Sequence, residues 1–438
     1  MKSTTTNFPI TNYLLQINEA EKVFSPLFNE LKNEAIVNFK RLGFPTTRFE
    51  EWKYTNVAEL LENNYVVAND KLLLTLRDIK QYFPAEENPI VFVFENGKYN
   101  DALSQTSSLP FGISVGPLSK YSDHPETIKH LGKMAGHGSQ GFVALNTALF
   151  YEGAFIFAEK NVICEKPIHL LFINDSRNSP TVNYPRNLIV ASPGSSLKIS
   201  ESYYSMEAVN PSFCNSVSEL FIDDDANLEF CKNESENSND FHIDYTSAFL
   251  QKNSKLNIHT ITSGGDLVRN NLLIELQKQN GSAYLNGLYI TSGTSHVDNH
   301  SLVDHASPHC YSNELYKGLL NGKSRGVFNG KIFVRKDAQK TNAYQSNKSI
   351  ILSDEASMNA KPQLEIYADD VKCSHGATTG QIDNEAMFYM QSRGIGINEA
   401  RTLLTNAFAE EILDKISIPS FREKMKELIH DKLKKGNE

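Results

Sequence analysis

Short runs of alternating apolar and polar residues recur through the middle of this chain at a nearly fixed interval. That interval constrains the fold more than any other feature. Ser196-Leu197-Lys198-Ile199, Asn227-Leu228-Glu229-Phe230, Lys255-Leu256-Asn257-Ile258 and Ser282-Ala283-Tyr284-Leu285 follow one another roughly 28 to 31 residues apart. Ala154-Phe155-Ile156-Phe157 is an earlier run of the same kind. A period of two puts the apolar side chains of an extended segment on one face. One such unit is too small to bury that face alone, so the units must stack. Strand-only units with no helix between them favour a mainly β fold, a β-solenoid or β-helix, over a βαβ fold. The polar stretches 174–183 and 233–240 then become loops leaving the stack. A β-sandwich is the competing architecture, and its hairpins ask for two-residue Asn-Gly or Asp-Gly turns. Between residues 142 and 370 only Asn280-Gly281, Asn286-Gly287, Asn321-Gly322 and Asn329-Gly330 qualify, all in the later part.

The segments on either side differ in pattern. Leu27, Phe28, Leu31, Ala35, Phe39 and Leu42 form one helical stripe, with Ser25 as cap, Pro26 at the first position, and Gly43 and Pro45 as the stop. The single Trp, Trp52, reads as a packing anchor between this helix and the core. Residues 90–141 are mixed, with a short strand over Val91 to Phe94 and a helix near Thr127 to Met134. After Arg393 the period lengthens to nearly four. Ala400, Leu403, Leu404, Ala407, Phe408 and Ile412 share one stripe, with Asn398 as its cap. Ser420-Phe421-Arg422-Glu423 fits a capping box for a last helix whose face carries Phe421, Met425, Leu428, Ile429 and Leu433. The expected division is a helical cap region over 1–141, a β-helix core over 142–393 and a helical carboxy-terminal region over 394–438. The terminal helices can cover the open edge of the stack or dock another protein.

A chain of 438 residues is too long for one ordinary core, so two or three domains, or one elongated repeat with caps, are expected. Its net charge of -9 argues against a nucleic-acid footprint. The sequence starts without an apolar signal core and has no apolar stretch long enough to cross a bilayer, so a cytoplasmic protein without a membrane partner is expected.

The five cysteines are scattered and never form a CxxC pair. Neither a disulfide framework nor a self-contained zinc or four-thiolate cluster site is expected, and a metal here would borrow ligands from elsewhere. His296 and His300, then His305 and His309, are spaced by four. Their flanks read as strand and turn, so they are expected to be structural. Leu364, Ile366 and Ala368 alternate as in a half-buried strand, and a polar turn with Cys373, Ser374 and His375 follows, relaxed by Gly376. Two apart on an extended segment, Cys373 and His375 point to the same side. That pair admits three readings: a buried filler beside a turn histidine, metal ligands at a shared surface, or a thiol-dependent enzyme. Gly394-Ile395-Gly396 reads as a turn at the sheet-to-helix junction.

Several of these runs taken together resemble a known family. Val297-Asp298-Asn299-His300, Pro308-His309-Cys310-Tyr311-Ser312, Tyr316-Lys317-Gly318, residues 324–332, 338–343 and 361–378, and Phe388-Tyr389-Met390-Gln391-Ser392-Arg393-Gly394-Ile395 look like the SufB/SufD family, the scaffold subunits of SUF iron–sulfur cluster assembly. The resemblance is dense from Leu285 to Ala409, and Glu50-Glu51-Trp52-Lys53-Tyr54-Thr55 is similar to the family's amino-terminal region. Ser346-Asn347-Lys348-Ser349 and Asn406-Ala407-Phe408-Ala409 lack thiols that SufB carries, and Cys373-Ser374-His375-Gly376-Ala377-Thr378 resembles the SufD branch. The alternative within the family is a SufB-like sister. The resemblance implies a right-handed parallel β-helix with helical ends and a non-catalytic scaffold. It implies pairing with SufB; a second copy is the alternative partner for an isolated chain. The SufC ATPase would dock on the helix carrying Leu403, Leu404, Ala407, Phe408 and Ile412. It further implies that His375 holds a transient iron–sulfur cluster shared with SufB, with Cys373 beside it in a secondary role.

Overall fold

The computed structural model describes Tyr13, Gln16 and residues 26–67, 73–107 and 109–437. The chain winds into a β-solenoid of about 8 turns. Successive long strands alternate between a 12-stranded and a 10-stranded sheet, and each pairs in parallel with the strands one circuit away. Tyr311–Leu320, for example, lies between Ser282–Thr291 and Asn342–Ile351. His296–His305 comes between the first two in sequence and lies in the other sheet. The repeat interval is therefore the length of one circuit. Asn227 stands directly beside both Ser196 and Lys255, and Lys255 beside Ser282. The inward side chains of these runs, Leu228, Phe230, Leu256, Ile258, Ala283 and Leu285, meet in one core.

The corners explain much of the polar sequence between strands. Gly194, Asp225, Asn253, Asn280, His309 and Lys340 all adopt the left-handed conformation, with φ between 58° and 69°. Each donates its N–H to a carbonyl of the following circuit. Asn and Asp tolerate this conformation better than most residues, because their short side chains bond locally. Here they bond to one another: Asn253 Nδ2 donates to Asp225 Oδ1 at 2.8 Å and Asn280 Nδ2 to Asn253 Oδ1 at 3.0 Å.

None of the four Asn-Gly pairs considered for hairpins makes one. Two sit at corners. The other two lie inside strands, where a Cβ on Gly287 would strike the Tyr316 ring and one on Gly330 the Gln345 side chain. A two-residue hairpin does occur at Asn96-Gly97, which joins Ile90–Glu95 antiparallel to Lys98–Tyr99. Ile90–Glu95 also pairs in parallel with Ile168–Asn174, which places it within the 10-stranded sheet.

Helices cover the outer faces. The helix Pro26–Leu42 ends where Gly43 turns left-handed and donates to Phe39 O at 2.8 Å. The cap expected at Ser25 lies outside the described residues. Phe28, Ala35 and Phe39 pack with Trp52, Phe142 and Phe213 against the 12-stranded sheet. The Arg269 guanidinium stacks over Trp52 at 3.7 Å and pairs with Asp298 at 2.6 Å. Trp52 is thus the expected anchor. Deeper in, Arg186 and Glu219 form a fully buried ion pair, and Glu219 also accepts from Gly132 N and Met134 N. The helix read near Thr127 to Met134 spans Pro125–His130 and stops before the left-handed Gly132.

On the opposite side, Ile397–Leu413 and Pro419–Asn437 lie over the 10-stranded sheet. Two expected caps are corrected. Gly396, not Asn398, precedes the first of these helices. The second starts at Pro419, whose missing N–H costs nothing at that position. Ser420 is therefore inside the first turn, and its hydroxyl goes to Glu86 instead of closing a capping box. Phe421, Met425, Ile429 and Leu433 are buried as their stripe requires. Among the described residues no helix is long and apolar enough to cross a membrane.

Candidate functional site

The solenoid ends on an open rung. Lys372–Gly380 is the last strand of the 10-stranded sheet and pairs on one side only, with Asn342–Ile350. Cys373 and His375 therefore lie within a strand, not in the turn expected from the sequence. Gly376 keeps extended geometry, and a Cβ there would meet open space. Only Cys373 is half-buried; the rest of the strand is exposed. Among the described residues neither a bulge nor a helix shields the edge, and a bare edge of this kind is a template for another chain.

Register shows what His375 continues. Leu285, Glu314, Gln345 and His375 stand side by side on four successive circuits. Leu285 belongs to the apolar core. Glu314 replaces it one circuit on, accepting from Ser301 Oγ at 2.5 Å and from Gln345 Nε2 at 2.7 Å. Burial pushes the Glu314 carboxyl up to about 7. His375 is the exposed last member of this inward-facing column. Beside it runs a second column, Ala283, Ser312, Ala343 and Cys373, in which Cys373 packs with Ala343, Leu364 and Val371.

The column could not be seen without the register. Its sequence signal is a polar residue at the inward phase of an alternating strand.

Chemically the end rung offers one solvent-facing imidazole and one recessed thiol. Burial raises the Cys373 pKa, which keeps the sulfur protonated and poorly nucleophilic. Asp370, the nearest carboxylate before the strand, is ion-paired with Lys340 at a corner. Around the rung, Ile366, Tyr367 and Tyr344 are exposed, and the following helix Asn384–Ser392 has no buried residue, with Phe388 73% exposed. Gly394 is left-handed at the end of that helix, as the glycine pair suggested.

The four earlier histidines are in structural positions. His296 meets Thr55 Oγ1 at 3.0 Å, His300 meets Asp298 at 3.0 Å, and His305 meets Ser312 Oγ at 2.8 Å inside the coil. His309 is a corner residue.

The helical stripe divides on folding. Ile412 is buried against the sheet and Phe408 half-buried, its carbonyl accepting from Lys317 Nζ at 2.7 Å. Leu404 is also half-buried, whereas Leu403 and Ala407 face solvent. Leu403 lines a cleft of about 550 Å³ between the two helices, together with Asn406, Glu410, Lys426 and His430.

Comparison with known proteins accords with this architecture. The family model described as "SUF system FeS cluster assembly, SufBD core domain" matches residues 172–408, and "SufBD protein N-terminal region" matches residues 9–170. The chain is 33% identical to an iron–sulfur cluster assembly SufBD family protein of Synechocystis, over 89% of this chain and 87% of that one. It is 28% identical to the iron–sulfur cluster assembly protein SufD of Escherichia coli, over 90% and 91% of the two chains. Against SufD of Bacillus subtilis the identity is 24% over 96% and 97%. With both regions matched in order along a solenoid of the expected kind, the chain belongs to the SufBD family of iron–sulfur cluster assembly proteins.

Proposed function

We propose that this chain is a non-catalytic scaffold that completes its open rung against a SufB-type sister solenoid and holds a nascent iron–sulfur cluster at the seam. The cluster is cargo, and His375 is its ligand from this side, with Cys373 secondary. The carrying observation is the one-sided pairing of Lys372–Gly380, with an imidazole at the end of the inward polar column. Apolar exposure around that rung also favours a protein partner, since such patches mark interaction sites. A SufC-type ATPase docks on the helical face bearing Leu403, Leu404, Ala407 and Phe408. Ile412 anchors the same helix to the solenoid wall, so movement of the ATPase is transmitted to the coil. An isolated chain offers the same edge to a second copy of itself.

Two variants separate the two surfaces. Ala377→Lys puts a charge on the free edge, a substitution that discourages strand pairing. It is expected to abolish co-purification of the sister solenoid while leaving ATPase capture and thermal unfolding unchanged. Leu403→Glu is expected to do the reverse. Retention of both partners by both variants would overturn the proposal.

A further inference from the structure

Stacking brings together residues that the sequence keeps apart. Cys231 and His259 are direct neighbours in the ladder, and Glu229 is on the same phase as Cys231. All three point away from the coil interior, where Leu228, Phe230 and Ile258 lie. They sit under the carboxy-terminal helices, and Cys231 packs with Ile261, Ile412, Leu413, Ile416 and Ile418. A ligand atom from each of the three residues lies within 4.8 Å of the others, and His259 Nε2 is 3.8 Å from Glu229 Oε1. A tetrahedral zinc ion sets such ligands roughly 3.3–3.6 Å apart, by its bond lengths to N, O and S. Small side-chain adjustments would close the site.

A second observation points to a ligand. His259 is 1% exposed, and neither ring nitrogen has a hydrogen-bond partner among the described residues. Buried imidazoles ordinarily have one. The comparable cluster of Cys214, Glu236 and His242 lacks this feature. There Nδ1 meets Glu236 at 2.8 Å and Nε2 meets Ser216 Oγ at 2.9 Å, so the ring is satisfied without an ion.

We propose that Glu229, Cys231 and His259 bind one divalent cation of the zinc or ferrous type, which fixes the carboxy-terminal helices to the solenoid wall. Mixed thiolate, imidazole and carboxylate donors suit these ions. Glu229 is already oriented: it accepts from Ser417 N at 2.6 Å and from the Ser417 hydroxyl, and Ser417 lies between the two helices. Carboxylate oxygens keep lone pairs for a metal after accepting these bonds. Binding releases the Cys231 proton to solvent. The thiolate and carboxylate then carry two negative charges, which balance the two positive charges of the ion.

The test uses the full chain expressed alone with zinc or cobalt supplied during growth, so the metal enters as the chain folds. About one equivalent per chain is expected, retained in Cys214→Ser and in Cys373→Ala. In Cys231→Ser and in His259→Gln it should fall about tenfold or more. The cobalt form should show thiolate-to-cobalt charge transfer in the near ultraviolet. Circular dichroism checks that each variant folds. A wild-type chain without bound metal, cobalt bound without the thiolate band, or folded variants with undiminished metal would each overturn the proposal. None of these readouts depends on cluster assembly, so the result stands apart from the scaffold proposal.

Discussion

Replacing His375 with Ala lowers the iron and sulfide retained by the assembled complex by about tenfold or more, while the subunits still co-purify. This is the expected result if the ring is a ligand and not a spacer. The side chain is exposed on the terminal strand, so its removal leaves no cavity and little change in stability. A spacer role predicts weaker assembly with normal cluster content per complex. A ligand role predicts the opposite pattern. Electron–nuclear resonance on the reduced, histidine-¹⁵N-labelled complex adds a second readout: a nitrogen coupling present in the wild type and absent in His375→Ala. Unchanged cluster content in a complex that assembles normally would remove His375 from the site.

The second large effect is on stability and depends on pH. Burial raises the Glu314 carboxyl from 4.5 to about 7, against the smaller lowering by its bonds from Ser301 and Gln345. A carboxyl with a raised native pKa holds its proton longer in the folded state than in the unfolded state. Its contribution to stability is complete below about 4.5 and is withdrawn as pH rises towards about 7. Glu314→Gln removes that loss. Its amide oxygen still accepts from Gln345, and its amide nitrogen can donate to the Ser301 oxygen. The variant is therefore expected to match the wild type near pH 4 and to exceed it by about 2–4 kcal/mol at pH 8. Denaturation midpoints at several pH values check this. The difference between the two proteins isolates Glu314, because Glu201 and Glu234, also raised by burial, titrate in both. A difference that does not change with pH would contradict the argument.

The sequence carried the circuit length plainly, because each circuit repeats an apolar phase of its own: Leu197, Leu228, Leu256 and Ala283 fall into line once the coil closes. It did not carry the register to the residue, and chemistry depends on register. Glu314 looks like an ordinary polar residue until Leu285 and Gln345 are known to flank it. Cys231 and His259 are 28 positions apart, which is one circuit, but only pairing makes that spacing meaningful. Asn-Gly pairs, the turn signal of the competing sandwich, are ambiguous for a physical reason: in a solenoid the glycine clears space for a neighbour's ring or amide as often as it turns the chain. Ser420 misled because Pro419 starts the helix one residue earlier and Glu86 takes the hydroxyl.

The seam itself is tested most directly by amide hydrogen exchange over residues 372–380, in the isolated monomer and in the complex with the sister solenoid. One flank of this strand has no pairing strand among the described residues, so amides facing away from Asn342–Ile350 should exchange quickly in the monomer. The account predicts that they slow by about tenfold or more on assembly, while the corner amides near Asn253 and Asn280 stay as they were. Equal exchange of the last strand in the two states would contradict it.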